Sequence, residues 1–263
     1  MTIEAFDRVH LDGTGIDRIT EDEVVAVVRD ALASGRGGRI ITPNVDILRR
    51  AAADPAVRRH LDDADLIVAD GMPLVWASRL GGAPLPERVA GSSLIWSLSQ
   101  GLGRDHRSIF VVGGTPVDRA ADQVDGAARA ADRLVEACPG LRIAGTLSPA
   151  FGFENDERAY AEFCATIIAA QPDLVFVGLG FPKQELVIER LRPHLPATWF
   201  VGCGAAVNFV TGDVHRAPRW MQRTGLEWAH RLGTEPRRLA GRYLRHDAPY
   251  ALRLLARAPR RRP

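Results

Sequence analysis

The sequence predicts an α/β fold, a mostly parallel sheet with flanking helices, followed by a basic helical C-terminal appendage. Three observations lead to this prediction. From about residue 39, short apolar runs alternate with helical patterns, the rhythm that parallel strands and crossover helices produce. The 263 residues are 46% hydrophobic and 25% charged, enough for a sizeable core. Beyond Gly212 only helical, arginine-rich sequence remains.

The elements can be placed in order along the chain. A capping box at residues 20–23 opens an amphipathic helix that runs through Leu32 and ends at Gly35. A short strand near Val9 is a further candidate. The predicted strands cover residues 39–42, 66–69, 108–112, 174–177 and 198–201, with a weaker one at 141–146. This succession is typical of a Rossmann-like sheet.

Charge divides the chain near residue 213. Residues 214–263 hold 13 arginines against three acidic residues, whereas residues 1–213 carry a formal charge of −8. We therefore predict an α/β core over 1–213 and an appendage over 214–263. Tryptophan, tyrosine and leucine interleave with the arginines, as in a basic amphipathic surface helix. Such a segment is expected to meet ligand phosphates, an anionic lipid surface or nucleic acid, unless it is merely solvated, as we expect for Arg260 to Arg262.

Cysteine and hydropathy patterns indicate the cellular compartment of the protein. Three cysteines, Cys138, Cys164 and Cys203, show no CxxC spacing, which argues against a disulfide framework or a structural zinc. The sequence shows neither a targeting segment nor an apolar run of about 18 residues. We expect a cytoplasmic chain, whose contact with a membrane, if it has one, is peripheral.

Asp70 is the candidate catalytic residue. Ligands of this fold class bind at the carboxyl ends of the strands, and Asp70 stands at such an end, before a glycine that permits a sharp turn. A half-apolar cleft would raise its pKa toward working pH, as a general base requires. A helix cap before residue 72 or a metal ligand is the alternative.

Two further strand-end segments carry candidate binding residues. Thr42 and Asn44 could hydrogen-bond a sugar or nucleotide, or simply cap the next helix. Gly113 and Gly114 precede a Thr-Pro pair that opens a long helix, and they could cradle a nucleotide, although a glycine pair more often marks a tight turn. Arg88, in a loop rich in glycine and proline, could bind a diphosphate or carboxylate, or pair with its neighbour Glu87 on the surface.

Lys183 is the only lysine among 34 basic residues. It follows an apolar strand and two glycines, where Pro182 can open a helix, so Lys183, Gln184 and Glu185 are predicted to face the site. A surface lysine and a capping glutamine are the alternatives. The seven histidines show no HExxH spacing and no DxD-like cluster follows a strand, so we expect no metal.

Five motifs, in order, carry a family resemblance. They are Thr42-Pro43-Asn44, residues 64–71, residues 87–91, residues 178–185, and the segment from Arg216 to Arg238 that contains Gly225-Leu226-Glu227-Trp228 and Glu235-Pro236. Together they closely resemble the WecG/TagA/CpsF glycosyltransferase family over nearly the whole chain. The resemblance implies transfer of an N-acetylmannosamine-type sugar or a hexose from a UDP-sugar to a polyprenyl-diphosphate-linked saccharide in cell-wall or extracellular polysaccharide synthesis, with inversion and without an obligatory metal or other cofactor.

The resemblance also implies roles for individual residues. Asp70 would be the general base, Thr42 and Asn44 would hold the donor sugar, and Arg88 and Gln184 would shape the pocket. The appendage would dock on an anionic membrane and close over the active site, with Arg216 and Arg231 supplying charge for phosphate. Donor identity and oligomeric state stay open.

Two other classes of protein remain as alternatives. A dinucleotide-dependent oxidoreductase would suit the alternating strands, but the sequence lacks a GxGxxG motif and a ribose-binding acid. A nucleic-acid-binding protein could use the basic tail. The acidic remainder of the chain argues against that reading, so we expect no nucleic-acid partner.

Overall fold

The computed structural model describes residues 6–116 and 125–258. Its strands are β1 (Arg8–Leu11), β2 (Thr14–Asp17), β3 (Gly38–Ile41), β4 (Leu66–Ile67), β5 (Ser108–Gly113), β6 (Arg142–Leu147), β7 (Leu174–Gly178) and β8 (Trp199–Gly202). Its helices are α1 (Glu21–Ala33), α2 (Val45–Ala53), α3 (Pro55–Asp62), α4 (Met72–Leu80), α5 (Gly91–Arg104), α6 (Gly126–Ala137), α7 (Glu157–Ala170), α8 (Lys183–Leu191), α9 (Ala206–Thr211), α10 (Arg219–Thr224), α11 (Glu227–Thr234), α12 (Pro236–Arg242) and α13 (Ala248–Arg257). Short 3-10 turns cover Phe153–Asn155 and Arg192–His194, and a π-helical turn covers Tyr243–Asp247.

The α/β prediction is confirmed. One sheet has six strands in the order β4-β3-β8-β7-β5-β6, and β1 and β2 form a separate antiparallel hairpin. The pairs β3/β8, β8/β7, β7/β5 and β5/β6 are parallel. The central strands are buried on both faces, which explains their continuous apolar runs.

The chain divides into two compact units. Among the described residues, unit one comprises 21–40, 91–116 and 125–214, and unit two comprises 6–20, 41–90 and 215–258. In unit one, one face of the sheet packs on α7 and α8 through an apolar cluster that includes Phe110, Phe163, Ile188 and Phe200. In unit two, the Asp17 carboxylate accepts from Arg8 at 2.7 Å and from the Ile67 N–H at 2.7 Å, so it joins the hairpin to β4.

Two predicted strands end earlier in the structure. The strand predicted at 39–42 ends at Ile41, and the one at 66–69 ends at Ile67. The Val68 N–H donates to the Ile41 carbonyl at 3.0 Å, but Pro43 has no N–H to donate and interrupts the ladder.

The C-terminal segment is helical, as its pattern predicts. It folds into α10, α11, α12, the π-helical turn and α13. Gly225, in the left-handed conformation with φ 77°, ends α10, and Pro236 begins α12 after a non-helical Glu235. Within the described residues, no helix combines the length and apolar character that crossing a membrane requires.

The separation of the core from the appendage near residue 213 stays a prediction. Arg260 to Arg262, and the helix expected to open after Pro116, lie outside the described residues.

Candidate active site

The predicted site residues fall in both units, and each set is described by itself. Unit two holds Thr42, Asn44, Asp70, Arg88, Arg216 and Arg231. Unit one holds Gly113, Gly114, Lys183, Gln184 and Glu185.

Backbone hydrogen bonds in unit two fix the surroundings of Asp70. Its N–H donates to the Pro43 carbonyl at 3.0 Å, and the Val89 N–H donates to the Ala69 carbonyl at 2.9 Å. The motif that contains Thr42 and Asn44 and the loop that contains Arg88 therefore both lie beside the strand end that carries Asp70. Gly71, not Asp70, is the N-cap of α4, and it has no side chain that could cap the helix. The helix-cap alternative for Asp70 is thus wrong.

Asp70 belongs to a charged cluster that α11 completes. The Arg88 Nη1 lies 4.0 Å from the Asp70 Oδ1 and donates to the Glu227 Oε2 at 2.9 Å. The Arg216 Nε lies 3.8 Å from the other oxygen of Glu227. Glu227 therefore hydrogen-bonds the guanidinium group beside Asp70 and forms a longer ion pair with a second one.

The electrostatics of this cluster suit a base that works near neutral pH. Burial raises the pKa of Asp70 to about 6, while Arg88 opposes the rise, Glu227 adds to it, and Arg231 and Arg216 oppose it. About 30% of the side chain stays exposed. A carboxylate with this pKa is largely ionised at pH 7 and still basic enough to take a proton in a transition state.

Thr42 and Asn44 lie on the short connection between β3 and α2. Thr42 is 7% exposed. The Asn44 Oδ1 accepts from the Ile47 N–H at 3.1 Å, so this side chain caps α2 as its position predicts. Any contact of these residues with a sugar stays a prediction.

In unit one, a buried network sets the orientation of Gln184. Its Nε2 donates to the Glu185 Oε1 at 2.9 Å, and its Oε1 accepts from the Gly204 N–H at 3.0 Å. The other oxygen of Glu185 accepts from Arg39 at 2.7 Å, and both ionic side chains are no more than 1% exposed. A Cβ on Gly202 would clash with Gln184 and Glu185, so glycine is needed there. The geometry favours a role for Glu185 in positioning Gln184.

The remaining unit-one candidates have structural partners. Lys183 pairs with Glu154. Gly113 and Gly114 have positive φ angles of 117° and 81°, and Ser148 donates to the Gly113 carbonyl at 2.6 Å. Burial raises the pKa of Cys203 to about 12, so this thiol stays protonated and is not an activated nucleophile. Binding roles for Lys183, Gly113 and Gly114 stay predictions.

Sequence reasoning assigned no role to Glu227 or Arg39. Glu227 did carry a signal, because it is one of three acidic residues in a segment with 13 arginines. Arg39 had no such signal, since the local sequence around an arginine in a predicted strand does not indicate which residue it will contact. Across residues 6–116 and 125–258, His, Cys, Asp and Glu side chains form no group of three or more that could hold a metal ion.

Comparison with known proteins agrees with these motifs. The Glycosyl transferase WecG/TagA/CpsF family model matches residues 9–263. An N-acetylglucosaminyldiphosphoundecaprenol N-acetyl-beta-D-mannosaminyltransferase of Bacillus spizizenii (strain W23) is 36% identical over 207 residues, 79% of this chain and 75% of the relative. A protein of the same name from Bacillus subtilis (strain 168) is 32% identical over 200 residues, 76% of this chain and 73% of the relative. The chain belongs to the WecG/TagA/CpsF glycosyltransferase family.

Proposed function

We propose that this enzyme transfers an N-acetylmannosamine-type sugar from a UDP-sugar to a saccharide linked to polyprenyl diphosphate. The observation that carries the proposal is the Asp70 cluster, a half-buried carboxylate with a raised pKa beside arginines. The relatives' names support the sugar and the lipid-linked acceptor, because both are N-acetylmannosaminyltransferases that act on N-acetylglucosaminyldiphosphoundecaprenol. The pathway would then be synthesis of a cell-wall polymer of the teichoic acid type.

The chemistry follows from the charges around Asp70. Asp70 takes the proton of the acceptor hydroxyl as that oxygen forms its bond to the anomeric carbon. The bond between the anomeric carbon and the diphosphate of UDP breaks, and UDP leaves with the electron pair. Direct displacement by one activated hydroxyl inverts the anomeric carbon.

Arginines are proposed to stabilise the leaving group. Arg88, Arg216 and Arg231 all act electrostatically on Asp70, so they lie close enough to influence charge at the reacting centre. Negative charge develops on the departing diphosphate in the transition state, where fixed positive groups are most effective. We propose that these arginines supply that charge and that the enzyme needs no metal.

The C-terminal segment is proposed to contact an anionic membrane. Trp220, Leu226, Trp228, Leu244 and Leu252 are between 38% and 68% exposed in a segment rich in arginine. Aromatic and aliphatic side chains among basic ones suit the boundary between lipid headgroups and acyl chains. A peripheral position at the inner face of the membrane would place the enzyme beside a lipid-linked acceptor.

Donor and metal use can be tested together. With EDTA in excess, we expect UDP release from UDP-N-acetylmannosamine that depends on a short-chain lipid-diphosphate N-acetylglucosamine acceptor. UDP-glucose serves as the matched donor control, and omission of the acceptor gives the background. Release that stops in EDTA and returns with Mg²⁺ would contradict the arginine proposal. Failure of every UDP-sugar with a folded protein would contradict the proposed reaction.

Arg88 should influence the pH at which kcat falls on the acid side of its pH profile, here called the acid limb. Because Arg88 lowers the pKa of Asp70, Arg88→Gln should move this limb to higher pH, while the limb of the unchanged enzyme lies near pH 6. The kcat of both proteins is measured from pH 5 to pH 9. Arg79→Gln, an exposed arginine on α4, is the control and should leave the profile unchanged. An acid limb that does not move would show that the profile does not report Asp70.

A further inference from the structure

A basic cavity lies in unit two, apart from the Asp70 cluster. Its volume is about 740 Å³, and its walls come from β1 and the following turn, the ends of α2 and α4, the π-helical turn and α13. None of its lining residues belongs to the Asp70 cluster. The cavity contacts the last turn of α4, whereas Asp70 lies before the first turn of that helix. About seven helical residues separate the two, a length of roughly 10 Å.

One face of α13 forms a wall of the cavity. Tyr250, Arg253, Leu254 and Arg257 all line it, and spacings of three, four and seven residues place them on the same side of a helix. The Tyr250 hydroxyl donates to the Asp12 Oδ2 at 2.7 Å. This hydrogen bond joins α13 to the turn of the β1–β2 hairpin and fixes one edge of the cavity.

The polar part of the lining is strongly cationic. It contains five arginines and one aspartate. Two of these arginines already have acidic partners, since Arg8 pairs with Asp17 and Arg49 with Asp46. The other three, Arg245, Arg253 and Arg257, have no carboxylate within 4.0 Å among residues 6–116 and 125–258. The cavity therefore offers positive charge that the described part of the chain does not neutralise.

The floor of the cavity is apolar. Val9, Leu11, Ala77 and Leu254 line it and are each no more than 7% exposed. A site for a small free anion gains little from an apolar floor, whereas an amphiphile uses both parts. Leu244 and Leu252 support a lipid environment, because they are 58% and 68% exposed on the same two elements that supply the unpaired arginines.

We propose that this cavity binds the phosphate headgroup of an anionic lipid. Arg253, Arg257 and Arg245 hold the phosphate, and the apolar floor receives the first part of the lipid chain. The cavity is thus a discrete, saturable site on the segment whose general contact with the membrane was proposed above. Its binding requires neither the sugar donor nor the acceptor, so it can be tested independently of the proposed reaction.

The test uses the full chain and a short-chain phosphatidic acid kept below its micelle concentration. Isothermal titration should show saturable binding that weakens roughly tenfold or more in Arg253→Ala/Arg257→Ala, because two charge-assisted contacts are lost. Ala53→Trp should also weaken binding without changing any charge, since Ala53 is an exposed lining residue at the end of α2. Circular dichroism confirms that each variant is folded.

Two comparisons separate this site from other sources of affinity. Arg104→Ala/Arg237→Ala removes two exposed arginines that do not line the cavity, and it should bind the lipid as the unchanged protein does. Inorganic pyrophosphate should compete poorly. An equal loss in both double variants would overturn the proposal in favour of diffuse charge attraction. If pyrophosphate competed with an affinity equal to that of the lipid, the cavity would be a site for free anions and the proposal would be overturned. Absence of lipid binding by the folded protein would also overturn it.

Discussion

Replacing Asp70 by asparagine should lower the rate of sugar transfer by a factor of about 10² to 10⁴. The amide has nearly the same shape as the carboxylate but cannot accept the acceptor proton. Binding of UDP should survive, because the proposed roles of the arginines in binding phosphate do not depend on the base. The measurement is kcat with the lipid-diphosphate acceptor, together with UDP affinity by titration.

Asp62→Asn is the matched control for this substitution. Asp62 is an exposed acid at the end of α3, in the same unit, so its replacement removes the same charge away from the cluster. Its kcat should stay unchanged. If Asp70→Asn kept the full rate, another group would have to be the base and the mechanism proposed here would fail.

Asp70→Asn should also make the protein more stable at neutral pH. The pKa of Asp70 is about 6 in the folded state, above its ordinary value of 3.8, so between these values the folded state binds more protons than the unfolded state. The free energy of unfolding therefore falls as pH rises through this window, and the full loss is present above pH 6. Asparagine does not ionise, so the variant does not undergo this loss of stability. We expect a gain of about 1–2 kcal/mol at pH 8, reduced by the partial exposure of Asp70, and little gain at pH 3.

The strand-end candidates could be predicted because they depend on local pattern and topology. Apolar runs that end in polar residues identified the positions of Thr42 and Asp70, and the carboxyl ends of neighbouring strands lie at one edge of a sheet. The hydrogen bond from the Asp70 N–H to the Pro43 carbonyl fits this expectation. Loop composition marked Arg88 as a further candidate, and its loop lies beside the same strand end because the Val89 N–H donates to the Ala69 carbonyl.

The charged partners could not be predicted in the same way. Glu227 lies 139 positions after Arg88, and Glu185 lies 146 positions after Arg39. No periodicity links residues at such separations, since the contact exists only after the strands have paired and the C-terminal helices have packed. Composition can mark an acid in a basic segment as unusual, but it cannot say which arginine the acid will meet.

Breaking the Arg39–Glu185 ion pair should cost about 3–5 kcal/mol of stability. Both side chains are buried almost completely, so Glu185→Gln removes the carboxylate charge that lies 2.7 Å from the buried guanidinium of Arg39. The measurement is the free energy of unfolding from urea denaturation. Glu162→Gln is the control in the same unit, because its ion pair with Arg158 is 68–88% exposed and should contribute less than about 1 kcal/mol.

A double substitution separates the charge effect from a general packing defect. Arg39→Met/Glu185→Leu removes both charges of the ion pair, and its cost should be well below the sum of the two single costs, because neither charge of the pair stays buried. Additive costs would show that the two side chains contribute independently and would contradict the coupling that their 2.7 Å contact implies.

Catalysis gives a second readout, which a purely structural role would not change. Glu185 accepts from the Gln184 amide, whose oxygen accepts from the Gly204 N–H. Glutamine at position 185 has one acceptor oxygen for the two donors Arg39 and Gln184, so the orientation of Gln184 is weakened. If Gln184 contacts the donor, the KM for the UDP-sugar should rise several-fold in Glu185→Gln while kcat changes less. Glu185→Asp, which keeps the charge on a shorter side chain, should restore part of both stability and KM. An unchanged KM in a folded but destabilised Glu185→Gln protein would limit Glu185 to a role in stability.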